Sequence, residues 1–211
     1  PDYSSAASDV YKRQISNRLK EKPPINGEPM ENIIDDFKTT ILPGITHWQH
    51  PRFFAYFPAN SSPPSVLAEM LTATLGAQCM LWQTSPAATE METRMMQWLA
   101  SMIDLPNKFS GVIQDSASSA TLCALLTARE KATSWKTNEL GFMTIAKKLI
   151  VYTSEEAHSS TEKGAKIAGF GKDNRRLIPT DNKFSMCANT LRKKIQSDLD
   201  KGFVPTCVVA S

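Results

Sequence analysis

Apolar residues in the second half of the chain form short runs that alternate with segments of helical pattern. Runs at 111–114, 148–153, 176–179 and 203–210 predict four strands, the last of them apolar throughout. The intervening segments carry helical periodicity, which is clear in 117–132 and at Leu191, Ile195 and Leu199. Strands that alternate with helices predict an α/β fold with a mostly parallel sheet covered by helices on both faces.

The first half of the chain is predicted to contain helices and one irregular segment. Residues 30–41 and 66–75 carry helical patterns, and Pro43-Gly44 ends the first of them. The clearest helix follows Ser85-Pro86, which reads as an N-cap and a proline at the first helical position. Its apolar positions predict a face packed into a core: Ala88, Met91, Met95, Trp98, Leu99 and Met102.

An aromatic and proline-rich stretch, residues 47–64 (HWQHPRFFAYFPANSSPP), shows neither a helical nor a strand period. A run this rich in aromatic side chains is expected to be buried in a core loop, a subunit interface or the wall of an apolar pocket. Residues 1–14 are small and polar, without periodicity, and are interpreted as a non-native or disordered tail. The predicted boundaries are therefore 1–14, an arm and helix over 15–64, and a larger domain over 65–211.

Composition narrows the possible functions. The 211 residues carry a net charge of +3 and no basic stripe interleaved with aromatics, which argues against nucleic acid as a partner. Four scattered cysteines and three histidines form no metal-ligand pattern, so we expect no metal site. No apolar run is long enough to cross a membrane, and no leader is recognised, so a reduced, cytoplasmic protein is expected.

Two loops at the carboxyl ends of predicted strands carry residues that could bind a ligand. Ser116, Ala117 and Ser118 open a helix, where hydroxyl groups and free backbone N–H groups can hold a phosphate. His158 precedes another helix, for which Ser159 and Glu162 are spaced as a capping box. An ordinary N-cap and a structural histidine are the alternatives. A serine hydrolase is disfavoured because no Gly-x-Ser-x-Gly motif is present.

Four segments resemble successive motifs of the aromatic-L-amino-acid (group II) decarboxylase family of pyridoxal-phosphate enzymes. They are HWQHPRFFAYFPAN (47–60), LWQTSPAATEMETRMMQWL (81–99), GVIQDSASSATLCALLTARE (111–130) and VYTSEEAHSS (151–160). The resemblance implies the first part of a fold type I large domain, with an incomplete parallel-rich sheet. It also implies a homodimer in which a helical N-terminal segment contributes to dimerisation.

The family's site residues can be carried over position by position. Ala117 and Ser118 match positions that bind the cofactor phosphate, and Ser116 completes the predicted cofactor-binding set. His158 matches the histidine stacked on the cofactor ring and is the predicted catalytic residue. The residues that match the substrate side-chain pocket are Trp48, Tyr56, Phe57, Pro58 and Met80. The implied reaction is decarboxylation of an L-amino acid, aromatic by preference, to the amine and carbon dioxide.

The sequence departs from the family pattern in several places. Asp115 stands where many members have glycine, Ala59 replaces a hydroxyl residue, and Met80 replaces an aromatic pocket residue of the animal enzymes. No motif matches the family's Schiff-base lysine, so we expect the 211-residue chain alone to be inactive. The alternatives left open are a glutamate or cysteine-sulfinate decarboxylase, an aromatic aldehyde synthase, and a non-catalytic dimerisation partner.

Overall fold

The computed structural model describes residues 15–19, 21–57, 60–106, 108–142 and 145–210. The chain divides into two compact units, one that ends at Gly76 and one that begins at Ala77. The predicted tail over 1–14 lies outside the described residues, and the predicted domain boundaries stay a prediction.

The described part of the first unit is largely helical. Helix α1 spans Met30–Asp36 and continues as a π-helical turn, Phe37–Ile41, and a 3₁₀ turn, Leu42–Gly44. Helix α2 spans Pro63–Leu75 and begins three residues before the predicted start. It begins there because the side chains and backbones of Ser62 and Ser65 cap each other. Gly76, at a φ of +57°, ends this helix in the left-handed conformation that glycine accepts without strain.

The second unit holds the remaining helices and the sheet. Its helices are α3 (Pro86–Met102), α4 (Ala117–Ala132), α5 (Lys136–Leu140), α6 (Ser159–Ile167) and α7 (Ala188–Asp200). Its strands are β1 (Leu149–Ser154), β2 (Arg175–Ile178) and β3 (Val204–Val209). Three of the predicted strands are thereby confirmed to within one residue at every end.

The three strands form one parallel sheet in the order β2–β1–β3, which confirms the predicted α/β architecture. All six residues of the central strand β1 are buried, as expected for a parallel strand covered on both faces. Leu149 and Val151 pack with α4 and α6 around Leu125, whereas Ile150 and Tyr152 pack with α7 on the opposite face. The sheet therefore lies between two helical layers.

Two predictions about this unit are wrong. Residues 111–114 form no strand: the Ile113 N–H donates to Glu92 Oε1 (2.7 Å), so this segment is tied to α3 and pairs with no strand. The apolar face of α3 is also not buried within the described chain. Met91, Trp98 and Met102 are more than half exposed, so the pattern that predicted core packing instead marks a surface without a partner here.

Candidate active site

His158 lies where the carboxyl end of β1 turns into α6, and it caps that helix. Its Nδ1 accepts a hydrogen bond from the Ser160 N–H (3.2 Å) and lies 2.9 Å from Ser160 Oγ. The His158 carbonyl accepts the N–H of Thr161 (3.0 Å). The predicted capping box of Ser159 and Glu162 is wrong, because the N-cap is His158 and Glu162 instead pairs with Lys166 and Arg175.

This arrangement determines which ring nitrogen of His158 is free. Because Nδ1 accepts the backbone N–H of Ser160, the neutral imidazole carries its proton on Nε2. Nε2–H is then a hydrogen-bond donor for a group outside the helix cap. His158 is exposed, which leaves room for such a partner.

The start of α4 supplies a second set of donors. Ser116 Oγ accepts the Ser119 N–H (3.2 Å), so the hydroxyl of Ser116 serves as the N-cap of this helix. The Ala117 and Ser118 N–H groups lie in the first turn, where helix geometry provides no backbone acceptor. No bond from either group to another described residue is recorded. They are free to bind an anion, which the positive end of the helix dipole also favours.

Helices α4 and α6 pack closely, and their N-terminal ends border one cleft of about 250 Å³. Gly164 permits the close approach, because a Cβ at this position would lie 3.0 Å from Leu125 Cδ1. At the far end of the pair, buried Arg129 donates from Nη1 to the Ala168 carbonyl (2.9 Å). The lining of the cleft consists of Ser118, Ser119, Leu122, His158, Ser159, Ser160, Lys163, Gly164 and Ile167.

The structure thus brings together two features that the sequence placed in separate loops. Ser118 and His158 line the same cleft. This was expected, because ligands in open parallel sheets bind beside the carboxyl ends of the strands. Four further polar lining residues were not predicted as site residues: Ser119, Ser159, Ser160 and Lys163. The sequence contains part of the information that would have identified them. Lys163 follows Ser159 by four residues and Ser160 by three, which places these residues on one helical face.

The predicted substrate-pocket residues fall in both units. In the first unit Trp48 stacks on Phe53 (5.0 Å between ring centroids) and on Tyr56 (5.4 Å), while Phe57 is fully exposed. Pro58 lies outside the described residues. In the second unit Met80 is exposed in the turn before α3 and does not line the cleft. The expectation that the aromatic run is buried is not met within the described chain.

A buried polar network anchors β1 beneath this site. The Tyr152 hydroxyl donates to Asp198 Oδ2 (3.0 Å), and Arg176 donates to both carboxylate oxygens, from Nη2 to Oδ1 (3.0 Å) and from Nε to Oδ2 (3.1 Å). Burial raises the pKa of Tyr152 well above its ordinary value, and the bond to Asp198 adds to this. Burial alone would raise the pKa of Asp198, but its hydrogen bonds with Arg176 and Tyr152 and the charge of Arg176 lower it below the usual range.

The sequence profile of the pyridoxal-dependent decarboxylase conserved domain matches residues 13–211. The chain belongs to this family. Aromatic-L-amino-acid decarboxylase of Mus musculus is 44% identical over 214 residues, a match that covers 96% of this chain and 44% of the relative. The 4-hydroxyphenylacetaldehyde synthase of Rhodiola rosea is 42% identical over 199 residues, covering 90% and 40%. The chain therefore spans less than half the length of the relatives it matches.

Solved structures show the same fold. The tryptophan decarboxylase of Catharanthus roseus, solved in complex with L-tryptophan, superposes with a TM-score of 0.82 at 35% identity. That match covers 96% of this chain and 46% of the plant enzyme. The chain accordingly has the fold type I architecture of these pyridoxal-phosphate decarboxylases. Within the described residues, no helix is long and apolar enough to span a membrane, and no cluster of three potential metal ligands is present.

The donor set of the cleft fits the cofactor type of this pyridoxal-dependent decarboxylase family. A phosphate needs hydrogen-bond donors and positive potential, which the free N–H groups of Ala117 and Ser118 and the start of α4 provide. A pyridine ring needs a flat partner, which the His158 imidazole can supply. Ser118 and His158 line one cleft, as a single ligand with a phosphate and a ring requires, and Ala117 directly precedes Ser118.

Proposed function

We propose that the protein to which this chain belongs decarboxylates an aromatic L-amino acid with pyridoxal 5′-phosphate as cofactor. One observation carries the proposal: Ser118, at the start of α4, and His158 line the same cleft in a chain of this family. When bound, the cofactor supplies the electron sink that makes loss of carbon dioxide from an amino acid possible. The remaining tasks fall to the protein.

The first of these tasks is to hold the ligand in a fixed orientation. The N–H groups of Ala117 and Ser118 and the hydroxyl of Ser118 would hold the phosphate, and the Ser116 hydroxyl caps the start of α4. The His158 imidazole would hold the cofactor ring in place. Its Nε2–H would donate a hydrogen bond to the substrate carboxylate, which the tautomer set by Ser160 permits.

The second task is to accept an aromatic side chain. The exposed aromatic side chains of Trp48, Tyr56 and Phe57 support this preference. Pro58 and Met80 are proposed as further substrate-binding residues. The 53–58 run FFAYFP contains no charged residue, so it offers no partner for the second carboxylate of glutamate; Arg52 is the only cation directly beside it. An aromatic substrate therefore fits this segment better than an acidic one.

An aromatic aldehyde synthase is the second candidate, and the 42% identity to the Rhodiola rosea 4-hydroxyphenylacetaldehyde synthase favours it. The two reactions share the loss of carbon dioxide and differ in the organic product, which is an amine in one case and an aldehyde in the other. Product analysis separates them without any assumption about structure.

The protein is further proposed to be a cytoplasmic homodimer. The exposed apolar face of α3 and the exposed aromatic segment after α1 are surfaces that a second subunit could cover, and they support this proposal. Free cysteines at positions 79, 123, 187 and 207 support a reducing compartment. In this view the chain of 211 residues, expressed alone, exposes these surfaces and does not catalyse the reaction.

The test is to express the longest natural form of the protein and to incubate it with pyridoxal 5′-phosphate and L-tyrosine, L-tryptophan, L-dopa or L-glutamate. We expect a visible absorbance band that borohydride abolishes, and an amine as product from an aromatic substrate. An aldehyde as product would establish the second candidate. Release of carbon dioxide from glutamate alone would contradict the aromatic assignment, and a colourless, inactive protein would overturn the proposed activity.

A further inference from the structure

Lys163 lines the cleft between α4 and α6. It is the only lysine, arginine, aspartate or glutamate among the described residues that line this space. It lies on α6 one turn after Ser159 and Ser160, which also line the cleft. The proposed roles of Ala117, Ser118 and His158 do not involve it.

The neighbouring cations are already engaged. Lys166 Nζ lies 2.6 Å from Glu162 Oε1, and Arg175 Nη2 lies 2.8 Å from Glu162 Oε2, so this one carboxylate is shared by two cations. Within the part of the chain that the structure describes, no ion pair involves Lys163. Its ammonium group is the cation of this helix left available to a ligand.

The residues that line the cleft favour a ligand of one charge. An ammonium group offers three donors and no acceptor, and the free N–H groups at the start of α4 are donors as well. None of the described lining residues carries a carboxylate that would compensate this positive potential. A cleft with these properties favours an oxyanion over a cation or a neutral ligand.

We propose that Lys163 binds an oxyanionic group of the ligand in this cleft and is a further binding residue of the site. The inference rests on the proposed function, which supplies two oxyanions: the phosphate of the cofactor and the carboxylate of the amino acid. The ammonium group adds a charge-assisted hydrogen bond to the donors already present. Its loss should weaken binding of the anion without disturbing the fold, since the Lys163 side chain is exposed.

The test compares Lys163→Gln with Lys166→Gln in the longest natural form of the protein, stripped of cofactor. The second variant is a matched control, because Lys166 lies on the same helix but is paired with Glu162 and does not line the cleft. Binding of pyridoxamine 5′-phosphate and of N-(5′-phosphopyridoxyl)-L-phenylalanine is measured by calorimetry. Neither probe has an aldehyde, so neither can bond covalently to other lysines. Lys163→Arg tests whether charge suffices.

We expect Lys163→Gln to weaken binding of both probes about 10-fold, with Lys163→Arg close to wild type and Lys166→Gln unchanged. This result assigns the contact to the phosphate. A loss confined to the amino-acid adduct also supports the proposal and assigns the contact to the carboxylate. Equal affinities for Lys163→Gln and Lys166→Gln would overturn the inference while leaving the proposed function intact. Failure of the wild type to bind either probe would overturn both.

Discussion

Glu155 and Thr180 join the segments that follow two neighbouring strands. Glu155 Oε1 accepts hydrogen bonds from the Thr180 N–H (2.7 Å) and from Thr180 Oγ1 (3.0 Å), and the Glu155 N–H donates to the Ile178 carbonyl (3.0 Å). These hydrogen bonds join the short connection between β1 and His158 to the end of β2. Glu155 does not line the cleft, so any effect that it has on the site acts through the position of this connection.

Replacing Glu155 by alanine should therefore lower the turnover of the proposed decarboxylase. The connection loses two bonds to Thr180, and misplacement of His158 by a fraction of an ångström would reduce the rate on the order of 10-fold. Steady-state kinetics and the visible circular dichroism of the bound cofactor are the measurements.

Glu156→Ala is the matched control, because Glu156 contributes its backbone N–H to Ser154 Oγ (3.1 Å) and no recorded side-chain bond to the described residues. Glu155→Gln keeps one acceptor oxygen and should recover most of the activity. An unchanged dichroism signal in Glu155→Ala would show that the hydrogen bonds between Glu155 and Thr180 do not position the ring of His158.

Asp198→Asn should destabilise the protein and alter its response to acid. At pH 7 the substitution removes a buried carboxylate that binds both Arg176 and Tyr152, a loss on the order of 3 kcal/mol in the free energy of unfolding. The pKa of Asp198 is lowered in the folded state, so its contribution is complete above the unfolded value of about 3.9 and is lost as the pH falls through the folded pKa.

Denaturant titrations between pH 7 and pH 3 measure this contribution. The difference in stability between wild type and Asp198→Asn should be constant in the neutral range and should shrink below about pH 4. Replacing Asp200, an exposed aspartate at the end of the same helix, is the control for a general charge effect. A difference that stayed constant down to pH 3 would mean that folding does not lower the pKa of Asp198.

The sequence predicted the central part of this fold because its signals are local. The run at 148–153 is apolar enough to be a strand buried on both faces, and β1 appears there within one residue. The run at 111–114 carries a similar signal, yet it becomes an irregular segment bound to Glu92. The hydrophobic pattern indicates that a segment can be buried, but it does not indicate which part of the protein the segment will pack against.

The candidate site was predicted to a similar extent. Ser118 and His158 follow from their positions at helix starts beside the sheet edge, and the structure places both in one cleft. Lys163 could not be found in this way, because its position depends on how closely α6 approaches α4. The apolar face of α3 shows the reverse case: its helical spacing was correct, but none of the described residues buries it.

Thr153 is the buried side chain whose replacement should raise stability. Its Oγ1 is fully buried and has no hydrogen-bond partner among the described residues. Thr153→Val keeps the shape and removes the unsatisfied hydroxyl, so the free energy of unfolding should rise by about 1 kcal/mol. Thr153→Ser, which keeps the hydroxyl and removes a methyl group, should lower it by about 1 kcal/mol. A loss of stability in Thr153→Val would reveal a partner for this hydroxyl.

The spacing between α4 and α6 offers the most direct control over the width of the cleft. A Cβ at Gly164 would lie 3.0 Å from Leu125 Cδ1 and 3.9 Å from Leu122 Cα. Alanine therefore requires Leu125 to shift by a few tenths of an ångström, and its gain in helix propensity of about 1 kcal/mol opposes this cost. Valine is larger and β-branched, so the two helices must separate.

We expect Gly164→Ala to bind cofactor nearly as well as wild type and Gly164→Val to bind it at least about 10-fold more weakly, with a loss of 1–3 kcal/mol in stability. Titration with pyridoxamine 5′-phosphate and thermal denaturation measure the two effects. A Gly164→Val variant that is destabilised but retains full affinity would separate the packing of these helices from the geometry of the cleft. It would place the phosphate contacts on α4 alone, where the N–H groups of Ala117 and Ser118 stay in position whatever happens to α6.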